Sequence, residues 1–424
     1  MNINSDYLKN ITVVSSGTVI AQIIPILLYP VLSRLYTPAD FGIYAFAISI
    51  GMCVASLAAS QYNHAVIIEN DEKCVKNIVN LATVVSFCIV LLFTIILCVT
   101  KFYFQFPFFE KLTGAWFLLP LYALFMGLNS TLLRWNNRNK FYSIISKGRI
   151  IASVFTIIIQ IGITIIFNAS PTFLLLGMVL GQFFSFLYMF YSSSNLWNGI
   201  VKVSSLFYIK NLAIKYKNFL LFTSLSDFLN IFINQLPIVM LTKLVGVSQT
   251  GQFAFSNKLL ALPISFISAS VGEVFRQRAV EDCKKKGNCN NVFIKTFKGL
   301  FLLSIIPFTI LFIFAPDIFA LVFGEIWREA GVFSRIMTPM FFFKFTVSPL
   351  TYIFYIHNRQ KEDFILHLLM LFLTVTSLYL GYFLLKDVNI MLLLYSMSFV
   401  SIYLYYFARS YFLSRKLLVY NNIN

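Results

Sequence analysis

Residues 78–103 read IVNLATVVSFCIVLLFTIILCVTKFY, and no position between Ile78 and Thr100 carries a charged side chain. An α-helix rises about 1.5 Å per residue, so about 20 such residues cross the roughly 30 Å hydrocarbon core of a bilayer. Inside lipid, the backbone polar groups must form hydrogen bonds within the segment itself, which favours a helix. The stretch therefore predicts a membrane-spanning helix.

The composition of the whole chain agrees with this stretch. Of the 424 residues, 59% are hydrophobic and 12% are charged, whereas about 25% of an average soluble domain is charged. The longest polar stretch runs from about Glu273 to Lys298, which is too short for a separate soluble domain. We therefore predict an all-α integral membrane protein without a soluble catalytic domain and with no catalytic residues.

Apolar runs of spanning length recur along the chain, separated by short polar loops. The polar start of the chain, Met1 to Asn10, is too short for a cleavable signal, so the first apolar run is expected to stay as a helix. The twelve predicted helices lie near residues 11–35, 41–67, 78–103, 114–133, 149–168, 171–192, 219–245, 250–272, 297–315, 331–356, 364–385 and 388–408.

The basic residues of the loops predict an orientation. With the N-terminus in the cytoplasm, 24 of the 33 Lys and Arg residues fall on the cytoplasmic side and seven on the other. Lys and Arg concentrate in cytoplasmic loops, so both termini are predicted to be cytoplasmic. The net charge of +17 is explained in the same way, and we predict no nucleic-acid partner.

The cysteines do not indicate a metal site. The spacing Cys283-x5-Cys289 lacks a second pair of ligands nearby, and in a cytoplasmic loop these thiols stay reduced. We predict neither a metal nor a cofactor.

Two short motifs repeat about half a chain apart. Gly42-Ile43-Tyr44-Ala45-Phe46 opens the second predicted helix, and Gly251-Gln252-Phe253-Ala254-Phe255 opens the eighth. Asn137-Arg138-Asn139-Lys140 follows the fourth helix, and Asn358-Arg359-Gln360-Lys361 follows the tenth. Each pair is six helices apart, which predicts two parallel six-helix halves, residues 1–200 and 201–424.

Two longer stretches resemble a known family. Leu35-Tyr36-Thr37-Pro38-Ala39-Asp40-Phe41-Gly42 is similar to the first periplasmic turn of oligosaccharide flippases. Residues 322–331, VFGEIWREAG, followed by Thr338-Pro339, Ser348-Pro349 and Asn358-Arg359-Gln360, resemble helices 9 to 11 of O-antigen flippases. These belong to the polysaccharide transporter branch of the multidrug/oligosaccharidyl-lipid/polysaccharide exporter superfamily. One departure is Gln61-Tyr62, where the family often has Arg-Tyr.

The resemblance implies twelve helices in a V-shaped, MATE-like transporter around a central cavity. It also implies that the chain moves an undecaprenyl-diphosphate-linked oligosaccharide, such as an O-antigen repeat unit, from the cytoplasmic to the periplasmic leaflet of the bacterial inner membrane. Such a protein alternates between inward- and outward-open states, in some members driven by a cation gradient. The implied partners are the lipid-linked cargo, membrane lipids and other polysaccharide assembly proteins.

Charged residues inside predicted spans are the candidate site residues, because each costs about 2.5–3.5 kcal/mol at the bilayer centre on insertion scales. Lys258, Lys344 and Arg34 are candidates for attracting the diphosphate, and Asp227 is a candidate for proton or cation coupling. The alternative is that these side chains reach the interface or pair with one another, as in Asp227–Lys258.

Other polar residues have simpler interpretations. His64, His357 and His367 are scattered and favour structural roles. The basic segment from Arg134 to Arg149 is typical of an anchor on anionic lipid, the alternative being a funnel for the cargo.

Two rival functions remain open. A drug or cation antiporter of the same superfamily would favour carboxylates in its cavity, whereas the charges here are mainly basic. A membrane polysaccharide polymerase or ligase would carry a large periplasmic loop with catalytic groups, whereas the outward loops here are short.

Overall fold

A computed structural model describes residues 5–59, 61–104, 115–193, 206–217 and 219–416, and every regular element within them is helical. The α-helices are α1 (Ser5–Leu35), α2 (Pro38–Ala58), α3 (Ala65–Ile68), α4 (Glu72–Phe104), α5 (Leu118–Arg138), α6 (Tyr142–Ile166), α7 (Pro171–Ser192), α8 (Leu206–Lys215), α9 (Ser224–Leu244), α10 (Val247–Lys286), α11 (Asn290–Phe323), α12 (Arg328–Val347), α13 (Ile353–Ile356), α14 (Gln360–Leu385) and α15 (Val388–Arg415). Single 3-10 or π turns join several of these helices.

The all-α membrane fold is confirmed. Ten of the described helices are long and apolar enough to cross a membrane. The predicted eighth and tenth spans are present as α10 and α12, but they are not among these ten. Helix α12 carries the charged side chains Arg335 and Lys344, and the side chains of residues 266–270 in α10 lie outside the described part of the chain.

The second predicted helix, residues 41–67, ends earlier than expected. Helix α2 stops at Ala58, and Gln61 then has a left-handed backbone (φ 51°). Left-handed conformations are uncommon for residues other than glycine, so hydropathy alone could not reveal this break. The chain continues as a 3-10 turn over Tyr62–His64 and as α3. The Asn63 amide donates a hydrogen bond to the Ser130 hydroxyl of α5 (2.8 Å) and fixes the turn there.

The chain packs as two compact units, the first being Met1–Gln235. In this unit α6 and α7 form a close hairpin. A Cβ atom at Gly181 would lie 2.6 Å from the Ala152 carbonyl oxygen, so the two backbones approach nearly to contact. The Tyr36 hydroxyl at the end of α1 donates to the Gln160 carbonyl of α6 (3.0 Å). In a membrane, apolar side chains gain nothing by leaving lipid for another helix. Close packing of small residues and hydrogen bonds such as this one therefore hold the helices together.

The second unit is Leu236–Asn424. The Gln252 amide donates to the Ile326 carbonyl (2.7 Å) and accepts from the Ala330 amide (3.0 Å), which ties α10 to the start of α12. The Phe255 ring stacks on the Trp327 indole at 4.2 Å. The repeated Gly-x-x-Ala-Phe motif is therefore, in this copy, a packing motif.

The two Asn-Arg-x-Lys motifs form turns with a left-handed residue at different places. Lys140 has φ 60° in the first, and Asn358 has φ 53° in the second. The division into six-helix halves at residue 200 stays a prediction.

Candidate functional site

Arg134 on α5 and His64 on the turn after α2 meet in the first unit. The Arg134 Nη2 atom lies 3.4 Å from the His64 Nε2 atom. A guanidinium has only donors, so Nε2 accepts this bond and the imidazole is neutral. Burial and the positive charge of Arg134 lower the pKa of His64 below its ordinary 6.5, and Asp227 only partly opposes them.

A π turn brings Asp227 close to this pair. The turn over Phe219–Thr223 leads directly into α9, and Asp227 lies in the first turn of α9. Phe219 lies parallel to the His64 imidazole, with ring centroids 6.2 Å apart. The Asp227 carboxylate acts electrostatically on both His64 and Arg134. π turns are rare and frequently mark functional sites.

Polar side chains continue from Asp227 along one face of α9. Asn230 and Asn234 follow at helical spacing, both are exposed, and the Asn234 amide donates to the Asn230 carbonyl (2.7 Å). Polar groups on a membrane-spanning helix face a hydrated cavity or the protein interior more often than lipid. This face of α9 therefore suits a water-filled passage.

An ion pair lies beside this cluster. The Lys215 ammonium lies 2.6 Å from a Glu69 carboxylate oxygen, which also accepts from the Tyr216 hydroxyl. These bonds from Lys215 and Tyr216 lower the pKa of Glu69 to about 2 and raise the pKa of Lys215. The contacts attach α8 and its following turn to the segment that connects α3 and α4.

Arg138, one helical turn beyond Arg134, has a different environment. Its guanidinium donates to the carbonyl oxygens of Val66 (2.8 Å) and Asn70 (3.3 Å), and also to that of Glu69. These carbonyls end α3 and lack helical partners, so Arg138 acts as a C-terminal cap.

The four residues predicted from the sequence are divided between the two units. Arg34, exposed in the last turn of α1, and Asp227, half-buried on α9, belong to the first unit. Lys258, exposed on α10, and Lys344, half-buried on α12, belong to the second. Their roles stay predictions.

Lys344 has the least polar surroundings of the four. Its ammonium lies 5.7 Å from the centre of the Phe341 ring. Among the residues that the structure describes, this ammonium makes no hydrogen bond and no ion pair. A buried cation in such a setting is costly unless an anion reaches it.

Sequence reasoning missed the His64–Arg134 pair. His64 was interpreted as structural and Arg134 as part of a basic anchor, and 69 positions separate them along the chain. The one available signal was the polar run Gln61–His64 at the point where the sequence departs from its family. Within the described ranges, no group of three His, Cys, Asp or Glu side chains could hold a metal ion.

Comparisons with solved structures identify the fold. The lipid II flippase MurJ in an inward closed conformation matches with a TM-score of 0.71 at 16% identity, covering 94% of this chain and 90% of that chain. An inward-facing multidrug resistance MATE transporter of the MOP superfamily matches with a TM-score of 0.59 at 15% identity over 95% of each chain. A MOP superfamily transporter from Pyrococcus furiosus, described as having a binding pocket of reverse polarity, matches with a TM-score of 0.59 at 13% identity, covering 95% of this chain and 94% of that chain.

Comparison of sequences identifies the family. Among curated proteins, no sequence matches the chain significantly. The family model described as polysaccharide biosynthesis protein matches residues 31–332, which is more than two thirds of the chain. The chain therefore belongs to the polysaccharide biosynthesis protein family, and its fold is that of the flippases and transporters of the MOP superfamily.

Proposed function

We propose that this protein moves an undecaprenyl-diphosphate-linked oligosaccharide, such as an O-antigen or similar surface polysaccharide repeat unit, from the cytoplasmic to the periplasmic leaflet. The family and the flippase fold support a lipid-linked saccharide as cargo. The protein works by alternating access in the bacterial inner membrane, with both termini in the cytoplasm and other polysaccharide assembly proteins nearby.

The observation that carries the proposal is the Lys344 ammonium. It lies within α12, 5.7 Å from the centre of the Phe341 ring. A diphosphate group brings two or more negative charges and strong acceptor oxygens, and it would remove the desolvation cost of this cation. A cationic cargo would be repelled instead. In this proposal Lys258 and Arg34 also line the path of the diphosphate.

Asp227 is the proposed coupling residue. Its carboxylate heads the polar face of α9 with Asn230 and Asn234, where water can reach it. A carboxylate that is alternately protonated and paired can link a cation gradient to the change of conformation.

Deletion and complementation test the function. A strain that lacks the gene should lose surface polysaccharide and accumulate lipid-linked repeat units inside, and the wild-type gene should restore export. Lys344→Ala should reduce restored polysaccharide by about tenfold at equal membrane abundance, because one charge-assisted contact contributes about 1.5–3 kcal/mol. Lys361→Ala, an exposed lysine at the start of α14, is the matched control and should export normally. If the deletion strain keeps its polysaccharide and accumulates no repeat units, the proposed function is wrong.

A drug or cation antiporter is the second candidate. Asp227 and the fold shared with multidrug MATE transporters favour it. Expression in a strain without drug efflux pumps separates the two functions. Resistance to cationic drugs that depends on Asp227, together with unchanged polysaccharide, would support the antiporter.

A further inference from the structure

The guanidinium of Arg134 has unused hydrogen-bonding capacity. An arginine side chain carries five N–H donors. Within the described part of the chain, the Arg134 guanidinium makes one hydrogen bond, to His64. Arg138, one turn away on the same helix, uses its donors on three backbone carbonyls. The two arginines therefore differ in what they can still bind.

Within the described part of the chain, no carboxylate lies within ion-pair distance of Arg134. Two groups that can carry positive charge, Arg134 and His64, lie 3.4 Å apart. The neighbouring acid, Asp227 on α9, acts on both from beyond ion-pair distance. Of the other acids on adjoining segments, Glu69 pairs with Lys215 at 2.6 Å and Glu72 pairs with Lys76 at 3.6 Å. The Asp71 carboxylate accepts from the Cys74 thiol (3.0 Å) and the Lys73 backbone amide (3.1 Å). The Arg134 guanidinium therefore has unused donors and no ion-pair partner among the described residues, and an anion would supply both an acceptor and a partner.

We propose that Arg134 and His64 form a binding site for a phosphate-class anion, and that binding of the anion is linked to uptake of a proton by His64. When the site is empty, Arg134 donates to the neutral imidazole, and a second positive charge at this distance is unfavourable. An anion on Arg134 neutralises that charge and adds an acceptor. His64 can then take a proton and become a second donor to the anion.

Two sources could supply the anion, the diphosphate of a lipid-linked cargo or the phosphate of an anionic lipid headgroup. If the source is the cargo, the site deepens the function proposed above and rests on it. The linked binding of an anion and a proton can be measured without transport, so the two proposals can fail separately.

Nuclear magnetic resonance of the histidines tests the linkage directly. The chain has three histidines, so labelled His64 can be assigned in the full-length protein by comparison with His64→Asn. The probe is methanedisulfonate, a diphosphate mimic that stays fully ionised, in nanodiscs of phosphatidylcholine. Saturating probe should raise the midpoint of the His64 titration by about one pH unit, as expected for an added nearby negative charge. His367, in the second unit, should not respond and serves as an internal control.

Variants test the role of Arg134. Arg134→Gln should raise the His64 midpoint without probe, because a positive charge is removed, and should abolish the response to the probe. Lys147→Ala, an exposed lysine on the neighbouring α6, should behave as the wild type. Thermal unfolding midpoints that match that of the wild type show that each variant is folded. If Arg134→Gln is misfolded, Arg134→Lys is used, and it should keep the charge effect but weaken the probe response, because lysine lacks the planar fork.

The outcomes separate the possibilities. A response when phosphatidylglycerol alone is added to the nanodiscs assigns the anion to lipid headgroups. A response to the probe alone assigns it to a soluble or cargo phosphate. An unchanged His64 midpoint with both anions, or a probe response that persists in Arg134→Gln, would overturn the proposal. If export by the wild type is normal in that case, the flippase function stands without this site.

Discussion

Arg134 and Arg138 lie one turn apart on α5 and make different contacts. Arg138 donates to carbonyl oxygens at the end of α3, while Arg134 contacts the edge of the His64 imidazole. The cause is the geometry of the segment after α2, where the left-handed Gln61 turns the chain back toward α5. At the scale of single residues, the partner that each basic side chain meets decides how many of its donors stay unused.

The capping role of Arg138 gives a stability prediction. Arg138→Ala leaves three carbonyl oxygens without their donor, and we expect a loss of about 2 kcal/mol in the free energy of unfolding. Arg138→Lys should recover less than half of this loss, because a lysine ammonium lacks the planar fork with which arginine reaches several carbonyls. Thermal unfolding in detergent measures both variants. Lys140→Ala would be a poor control because Lys140 has a positive φ, so exposed Lys147→Ala is used. Full stability of Arg138→Lys would contradict the capping argument.

Helix pairs within each unit depend on glycines at their crossings. Gly331 on α12 faces Ala315 and Pro316 on α11, and a Cβ atom there would lie 2.5 Å from the Ala315 carbonyl oxygen. Gly381 on α14 likewise faces the Met391 backbone of α15, at 2.6 Å for its Cβ. At the scale of elements, close backbone contact sets the packing because side-chain hydrophobicity favours lipid as much as another helix.

A methyl group tests this packing. Gly331→Ala should destabilise the protein by about 1–3 kcal/mol, because the obstructing atoms are backbone and cannot rotate away. Gly162→Ala is the matched control, since a Cβ atom at Gly162 meets nothing within 4 Å. It should be neutral or stabilising by up to about 1 kcal/mol through helix propensity. Melting temperatures of the two purified variants give the comparison, and equal effects would refute the assigned crossing.

The Glu69–Lys215 pair gives a prediction for α8. Glu69→Gln should speed amide exchange over Leu206–Lys215 by about two- to fivefold at neutral pH, as expected for the loss of an ion pair near the surface. Glu72→Gln is the control, because its ion pair with Lys76 joins two residues of α4.

The same pair predicts a pH dependence. The pKa of Glu69 falls from its ordinary 4.5 to about 2 in the folded protein. A lowered folded-state pKa contributes stability above the ordinary value and loses it as pH falls toward the folded value. The exchange difference between wild type and Glu69→Gln should therefore shrink below pH 4.5 and vanish near pH 2. A difference that stays constant through this range would exclude the ion pair as its cause.

The orientation in the membrane is a property of the whole molecule. The excess of Lys and Arg in alternate loops predicts that both termini face the cytoplasm. Alkaline phosphatase fused at the C-terminus should be inactive, and phosphatase inserted at the turn between α14 and α15, after Lys386, should be active. A fluorescent protein at the C-terminus should give the opposite readout to the phosphatase. Active phosphatase at the C-terminus would reverse the proposed topology and the direction of transport drawn from it.

The sequence by itself determined where the helices lie and that the chain is a membrane protein. Each predicted helix has a helical counterpart in the described part of the chain, although the second ends early at Ala58. Ten described helices meet the length and composition of a membrane span. The reason is local: a run of about 20 apolar residues has one stable structure in lipid, whatever surrounds it. The family resemblance could likewise be recognised from the sequence, because its motifs are contiguous. In the structure, Trp327 of the family motif and Gln252 of the repeated motif take part in helix packing.

Only the tertiary structure decided which polar residues meet. The hydropathy of the sequence does not reveal that the helix ends near Gln61, because a single left-handed backbone angle does not change the composition. The candidate residues chosen from the sequence were charges within predicted spans, whereas the pair with unused donors is His64 and Arg134, which were given other interpretations. His64 lies on the turn after α2, Arg134 on α5 and Asp227 on α9. Their proximity depends on helix packing, which no local pattern of residues encodes.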